Sequence, residues 1–454
     1  MSDYTDFLAT KASMASDTGF APLWLPSFLF DFQQALTDWA IRKGRAAIFA
    51  DCGMGKTPMQ LVWAENIIRK TNKPVLILTP LAVSGQTIEE AAKFGIEAWR
   101  ADMATCPTVI QVTNYEKLHY FDPLRYAGVV CDESSILKNF DGSRKAAITE
   151  FMRRIPYRLL CTATAAPNDW IELGTSSEAL GYLGYSDMLG RFFKRLRGFG
   201  MNDTRRDEWV LRGYAEEHFW RWIASWARAA RWPSDLGFDN DGFILPPLTE
   251  RHSLIQATKP RQGMLFDVQA VNFFEEREVT RRTIRERCET VAAKVAEHDV
   301  SMVWCHLNDE AATLRAIIPD SVEVSGSDPD DKKEAAAHWF CHGQEQRRVL
   351  ISKPRIFGFG LNFQHCAHMT YFPTHSYEQY YQATRRLWRF GQTREVLVDL
   401  IYTDGGQRMM ENLARKSKAA DEMFTKLVGY MNQAIHIQQT YTRKEIRVPQ
   451  WLTQ

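Results

Sequence analysis

Three groups of residues have the types and spacing to do chemistry on a phosphate chain. The first is Ala50-Asp51-Cys52-Gly53-Met54-Gly55-Lys56-Thr57, which follows the apolar run Ala46-Ala47-Ile48-Phe49 and precedes a helical pattern from Met59 to Lys70. Gly53 and Gly55 would let backbone N–H groups, including that of Met54, approach anionic oxygens, and the following helix would add its positive end. Lys56 would reach the β- and γ-phosphates of a nucleotide, and the Thr57 hydroxyl would sit on Mg2+. The second group is the apolar strand ending in Asp132-Glu133. There, one carboxylate can hold Mg2+ through its water shell and the next can polarise an attacking water. The third is Arg386 and Arg389, three apart and therefore expected on one face of a helix. Arginines so presented can neutralise charge on a transferred phosphoryl group, an effect of about 10³–10⁵ in rate. ATP and Mg2+ are the implied cofactors.

Such groups need a frame that brings strand ends together. From residue 46 to 164, short β-like runs (Ala46–Ala50, Val75–Leu78, Val109–Val112, Val129–Cys131, Leu159–Cys161) alternate with helical stretches. A second series follows: Ser301–Cys305, Val322–Val324, Val349–Ser352, Met369–Phe372 and Val396–Ile401. This alternation predicts parallel sheets covered by helices, with ligands at the carboxyl ends of the strands. The expected fold is α/β with two tandem nucleotide-binding domains, 1–170 and 256–454, around a helical, Trp-rich stretch at 171–255. The tail from Gly405 to Ala434 reads as a helix.

Composition bounds the setting. The 454 residues leave room for two or three domains, and 56 basic against 55 acidic residues mean that any nucleic-acid surface must come from local clustering. The 8 cysteines, among them Cys52, Cys106, Cys131 and Cys161, form no C-x-x-C pair and read as reduced core residues. His365, His368 and His375 lack carboxylate or Cys partners at metal spacing, so no metal beyond Mg2+ is expected. No run of 18 apolar residues occurs and no basic-then-apolar leader is present, which points to a cytoplasmic protein.

The motifs in their order resemble those of superfamily-two helicase-type ATPases, and most nearly the Swi/Snf family of double-stranded DNA translocases. Leu29-Phe30-Asp31-Phe32-Gln33 resembles that family's adenine-reading segment, and the loop at 50–57 its A-x-x-G-x-G-K-[ST] form. Val75–Pro80 with Leu81, and Val112–Leu118, resemble its next two motifs. Asp132-Glu133-Ser134-Ser135-Ile136-Leu137-Lys138-Asn139 resembles its Asp-Glu box with a Leu-Lys-Asn extension. Thr162-Ala163-Thr164 and Ala166-Pro167-Asn168 resemble the segment coupling hydrolysis to nucleic acid. Gly358, Gly360, Leu361, Asn362 and Gln364 resemble the fifth motif, and Gln382 to Gln392 the sixth. The resemblance spans about 29 to 430 and implies two RecA-like domains. It further implies nucleotide contacts from Gln33, Gly360, Asn362 and Gln382, finger arginines at 386 and 389, and nucleic-acid contacts from Thr79, Pro80, Thr113, Asn114, Tyr115, Thr162 and Thr164. Domain closure would then complete the site.

Departures mark a divergent member: Ser134-Ser135 replace Ala-His, and Trp388 stands where the sixth motif has His. The modest length favours a bacterial or phage origin. Between Arg191 and Trp232, ten Lys/Arg (Arg221, Arg228 and Arg231 among them) outnumber five acids, with five tryptophans interleaved. Basic residues with aromatics suit phosphate contact and base stacking, while Trp222 and Trp226 also suit a helix packed into a core. Duplex DNA is the expected partner. The leading expectation is an ATP-dependent duplex translocase; a strand-separating DNA or RNA helicase and a nucleotide-regulated binding module stay open.

Overall fold

The computed structural model describes residues 16–80, 83–101, 107–138, 142–166, 169–196, 208–255, 273–357, 362–403 and 406–442. Leu81, Cys106, Asn139, Pro167, Asn168, Gly358, Gly360, Leu361 and the charged positions from 197 to 207 lie outside them. The described residues fall into two units, one formed up to Leu78, by Glu90–Asn240 and from Ala420 on, the other by Thr79–Glu89 and Asp241–Ala419.

The first unit begins with α1 (Asp31–Lys43), β1 (Arg45–Ala50), α2 (Lys56–Thr71) and β2 (Val75–Thr79). Along the chain follow α3 (Ser84–Lys93), which belongs to the second unit as far as Glu89, and then, in the first, β3 (Ala98–Arg100), β4 (Ile110–Asn114), β5 (Gly128–Asp132), α4 (Ser143–Arg153) and β6 (Tyr157–Cys161). Five of these strands carry apolar runs buried on both faces, as strands of a helix-covered sheet must be. The sheet order is β3-β4-β2-β5-β6-β1-β9, and β1 pairs in parallel with both β6 and β9. Register places Ile48 opposite Cys161, and Cys161 opposite Asp132. The chain therefore leaves β1, β5 and β6 at one level of one sheet edge.

The stretch 171–255, expected to be a helical insertion and linker, falls in the first unit as far as Asn240. After α5 (Leu173–Leu180) and α6 (Tyr185–Phe192) come an antiparallel hairpin, β7 (Phe193–Leu196) with β8 (Glu208–Leu211), and α7 (Glu216–Trp226). Next, β9 (Ala227–Ala230) adds the edge strand beside β1. Phe219, Trp220, Trp222 and Trp226 lie fully buried in the core of this unit, with Trp222 and Trp226 edge to face at 5.7 Å. Core packing, rather than base stacking, accounts for these tryptophans.

The second unit opens with β10 (Leu248–Ile255), α8 (Phe273–Arg282), α9 (Ile284–Val295), β11 (Val300–Trp304), α10 (Asn308–Ile317), β12 (Ser321–Val324) and α11 (Asp330–His342). It continues through β13 (Arg348–Ser352), α12 (Pro354–Phe357), β14 (His368–Tyr371), α13 (Tyr377–Thr384), β15 (Val396–Thr403) and α14 (Gln407–Thr442). Its six strands run in the order β10-β15-β14-β11-β13-β12, every neighbouring pair parallel. His368, one of the three histidines considered above, is buried between Ser301 (2.8 Å) and Asp399 (2.9 Å), and Asp399 is also held by Arg251. From Ala420 on, α14 packs on the first unit, where Met423, Phe424 and Leu427 join the core. The two halves are thus parallel α/β sheets flanked by helices, the architecture expected of tandem RecA-like domains. Among the described residues, no helix is long and apolar enough to cross a membrane.

Candidate active site

The loop after β1 takes its shape from two left-handed glycines, Gly53 (φ 89°) and Gly55 (φ 72°). Asp51 steadies its start by accepting from the Cys52 N–H at 2.6 Å, and the Met54 N–H bonds the Asp51 carbonyl at 3.3 Å. Gln33, in the first turn of α1, accepts from the Phe30 N–H at 3.1 Å and donates to the Met54 carbonyl at 3.0 Å. One N–H and one lone pair of its amide remain beyond these two bonds, which is what an adenine edge would need. A methyl group on Gly55 would lie 2.2 Å from Gln33 Nε2, so that amide would have to move to admit it.

Lys56 and Thr57 open α2, whose first turn holds no acidic residue. Its unpaired N–H groups and positive dipole end therefore face the loop without a competing carboxylate. The Lys56 ammonium folds back on the loop, donating to the carbonyls of Ala50 at 3.0 Å and Asp51 at 3.3 Å.

At the end of β5, Asp132 accepts from Gln60 Nε2 at 2.6 Å. Burial pushes its carboxyl up to about 6, helped by the neighbouring Glu133 charge, while Gln60 and Lys56 pull the other way. Glu133 is a non-glycine residue in the left-handed region (φ 51°), a conformation retained where surrounding structure imposes it. Its carboxylate accepts from the Thr162 hydroxyl at 3.4 Å, and that hydroxyl oxygen in turn accepts from the Thr164 N–H at 3.1 Å. The segment after β6 is thereby tied to Glu133.

The positions assigned to nucleic acid meet a mixed outcome. The Thr79, Thr113, Asn114, Tyr115, Thr162 and Thr164 side chains are buried, and Pro80 is half-buried. Asn114 caps the turn that follows it by accepting from the Lys117 N–H at 3.1 Å. The Tyr115 hydroxyl donates to the backbone carbonyl of Asp132 and meets Cys131 Sγ at 3.0 Å. Tyr115 is thus an internal tie to the carboxylate turn. Arg228, expected at phosphate, is buried; it donates to the carbonyls of Ala224 and Ala227 and stacks 4.4 Å over Trp39. Burial lowers its pKa to about 10. Arg221 is exposed and paired with Glu217 at 2.7 Å, and Arg231 is paired with Asp421 at 3.5 Å.

In the second unit α13 ends at Thr384, so Arg386 and Arg389 lie in the turn beyond it rather than on one helical face. That turn is nonetheless tightly held. The Arg386 carbonyl accepts from the Phe363 N–H at 2.9 Å, and Arg386 Nε donates to the Gln382 carbonyl at 3.3 Å. Arg389 donates to Asn362 Oδ1, joining the fifth and sixth motif segments. Gln382 is 2% exposed, and neither polar atom of its amide has a partner among the described residues. An orphaned buried amide is costly, and a ligand group is one way to satisfy it.

ATP and Mg2+ fit the residues of the first unit. The glycine cradle is shaped for a phosphate chain, and the Thr57 hydroxyl and Asp132 carboxylate are the hard oxygen donors that Mg2+ prefers. Among the described residues, no group of three or more His, Cys, Asp or Glu is arranged to hold a metal. Sequence reasoning missed Gln60; the signal was a polar residue one helical turn beyond Lys56, between Met59 and Leu61.

No family model matches this sequence. No curated protein matches it either. Among solved structures, the chain is similar to the Sulfolobus solfataricus SWI2/SNF2 ATPase core in complex with dsDNA, at 17% identity and a TM-score of 0.41, covering 91% of this chain and 96% of that one.

Proposed function

We propose that this protein is an ATP-driven motor that moves along duplex DNA. The observation supporting the catalytic half is the cluster at the carboxyl ends of β1, β5 and β6. There Lys56 bears electrostatically on Asp132, and Glu133 is aimed by its left-handed backbone at Thr162. In hydrolysis a water oxygen attacks the γ-phosphorus, and Glu133 accepts the proton released as that bond forms. The bond from the γ-phosphorus to the bridging oxygen breaks, and ADP leaves with its electron pair. Thr57 and Asp132 would hold Mg2+, which would supply charge neutralisation to the phosphates. Lys56 binds the same phosphates, and Arg386 and Arg389 neutralise charge as it develops.

The DNA half rests on the ordered Swi/Snf-like motifs and on basic residues at the surface. Lys194 and Arg195 are exposed on the β7–β8 hairpin, and Arg221 on α7. Contacts to phosphate from such residues give sequence-independent binding that weakens with salt. The deciding experiment is steady-state ATPase with no nucleic acid, duplex DNA, single-stranded DNA and RNA. Duplex DNA should stimulate most. Stimulation by RNA alone would overturn the DNA assignment, and absence of hydrolysis under every condition would overturn the motor.

A further inference from the structure

One buried polar side chain has no part in the chemistry above. Gln60 is 1% exposed in α2, between the fully buried Met59 and Leu61. Packing alone would favour an apolar residue there, because ordering and desolvating a glutamine is costly unless its hydrogen bonds are made. Its amide bonds Asp132 Oδ1 at 2.6 Å and also reaches the Cys161 thiol. A carboxylate only accepts, so the amide nitrogen is the atom presented. The Glu133 N–H bonds the same carboxylate, and Tyr115 holds the Asp132 carbonyl. The backbone of Asp132 is thus fixed from one side and its side chain from the other. One helix carries Lys56, Thr57 and Gln60, so their relative positions are set by a rigid element.

Resting on the ATP–Mg2+ reading, we propose that Gln60 is the positioning residue of the metal-binding carboxylate, holding Asp132 in the orientation from which it takes the nucleotide-bound cation. Partners that orient a metal ligand contribute roughly 10–100-fold to metal affinity. The test separates the metal from the nucleotide. Affinity for a non-hydrolysable ATP analogue is measured in EDTA, and Mn2+ binding to the protein–analogue complex is then followed by electron paramagnetic resonance. Gln60→Met keeps shape without the donor, and Gln60→Glu replaces the donor with a second carboxylate.

Both variants should bind the analogue in EDTA within about two-fold of wild type. The Mn2+ midpoint should rise by about 10–100-fold, more for Gln60→Glu. Melting curves check folding. If Gln60→Met does not fold, Gln60→Asn, whose amide is one carbon too short to reach, is read the same way. An Mn2+ midpoint unchanged in the folded variants would overturn the proposal, as would loss of analogue affinity in EDTA matching the midpoint shift, which would make Gln60 a prop for the loop. A wild-type protein that binds neither analogue nor Mn2+ would overturn the nucleotide reading along with it, whereas unshifted variants of a binding wild type overturn Gln60 alone.

Discussion

Gly55→Ala should weaken nucleotide binding through two separable effects. Gly55 sits at φ 72°, where an L-residue pays about 1–2 kcal/mol. The new methyl would also lie 2.2 Å from Gln33 Nε2, so the Gln33 amide must leave the Met54 carbonyl that it holds at 3.0 Å. Losing that hydrogen bond costs about 0.5–1.5 kcal/mol. If both terms fall on the loop geometry that receives phosphate, affinity drops by roughly 10–300-fold, at 1.4 kcal/mol per decade. In a Gln33→Ala background the clash is absent and only the backbone term remains, about 5–30-fold. A double-mutant cycle read by fluorescent-nucleotide titration should therefore return a coupling of about 0.5–1.5 kcal/mol, with melting temperatures recorded for all four proteins. Additivity within about 0.3 kcal/mol would refute the claim that Gln33 shapes the loop.

Four further outcomes are expected. Glu133→Gln should keep ATP binding while stopping turnover, since only the proton-accepting carboxylate is lost; near-normal steady-state hydrolysis would remove its assigned role. Arg228→Leu should destabilise the protein by about 1–3 kcal/mol by denaturant titration and leave the DNA response intact, because its guanidinium bonds internal carbonyls. Arg221→Ala should leave stability nearly unchanged and reduce the salt slope of DNA binding by about one unit. In EDTA, Asp132 should confer a pH dependence of stability. Its folded carboxyl is pushed up to about 6, above its ordinary value of 3.8, so the folded state binds the proton more tightly and stability gains as pH falls through that window. The difference between wild type and Asp132→Asn melting curves should show this slope between about pH 4 and 6, and a flat difference would count against it.

The phosphate loop, the Asp132-Glu133 turn and ten strands were legible because apolar runs bounded by glycine and carboxylates leave a local signature. The strand β9 was not, since Ala227-Arg228-Ala229-Ala230 has little β-propensity and pairs only because β1 lies beside it. The internal bonding of Arg228 was illegible for a related reason. A buried guanidinium needs acceptors, and its partners are backbone carbonyls that carry no residue identity in the sequence. The tryptophans of α7 were ambiguous because a stripe at spacing four serves a core or a binding face equally well. Arg386 and Arg389 were placed on a helix by spacing alone, whereas α13 stops at Thr384 and the turn beyond it is held by Phe363.

The docking of α14 onto the first unit has a consequence for the chain as it is made. Arg231, half-buried, meets Thr425 across 194 residues of sequence, and Phe424, Leu427 and Met431 are buried nearby in the chain while Lys426 lies 4.7 Å over Trp170. At about 5–20 residues per second, a ribosome that has finished Arg231 needs roughly 10–40 s more to supply these partners. Throughout that interval the face awaiting Phe424 and Leu427 is open to water, and the second sheet is synthesised before the first unit can close. The first unit therefore begins before the second and is completed after it, and its open face is exposed to chaperones and aggregation until α14 arrives.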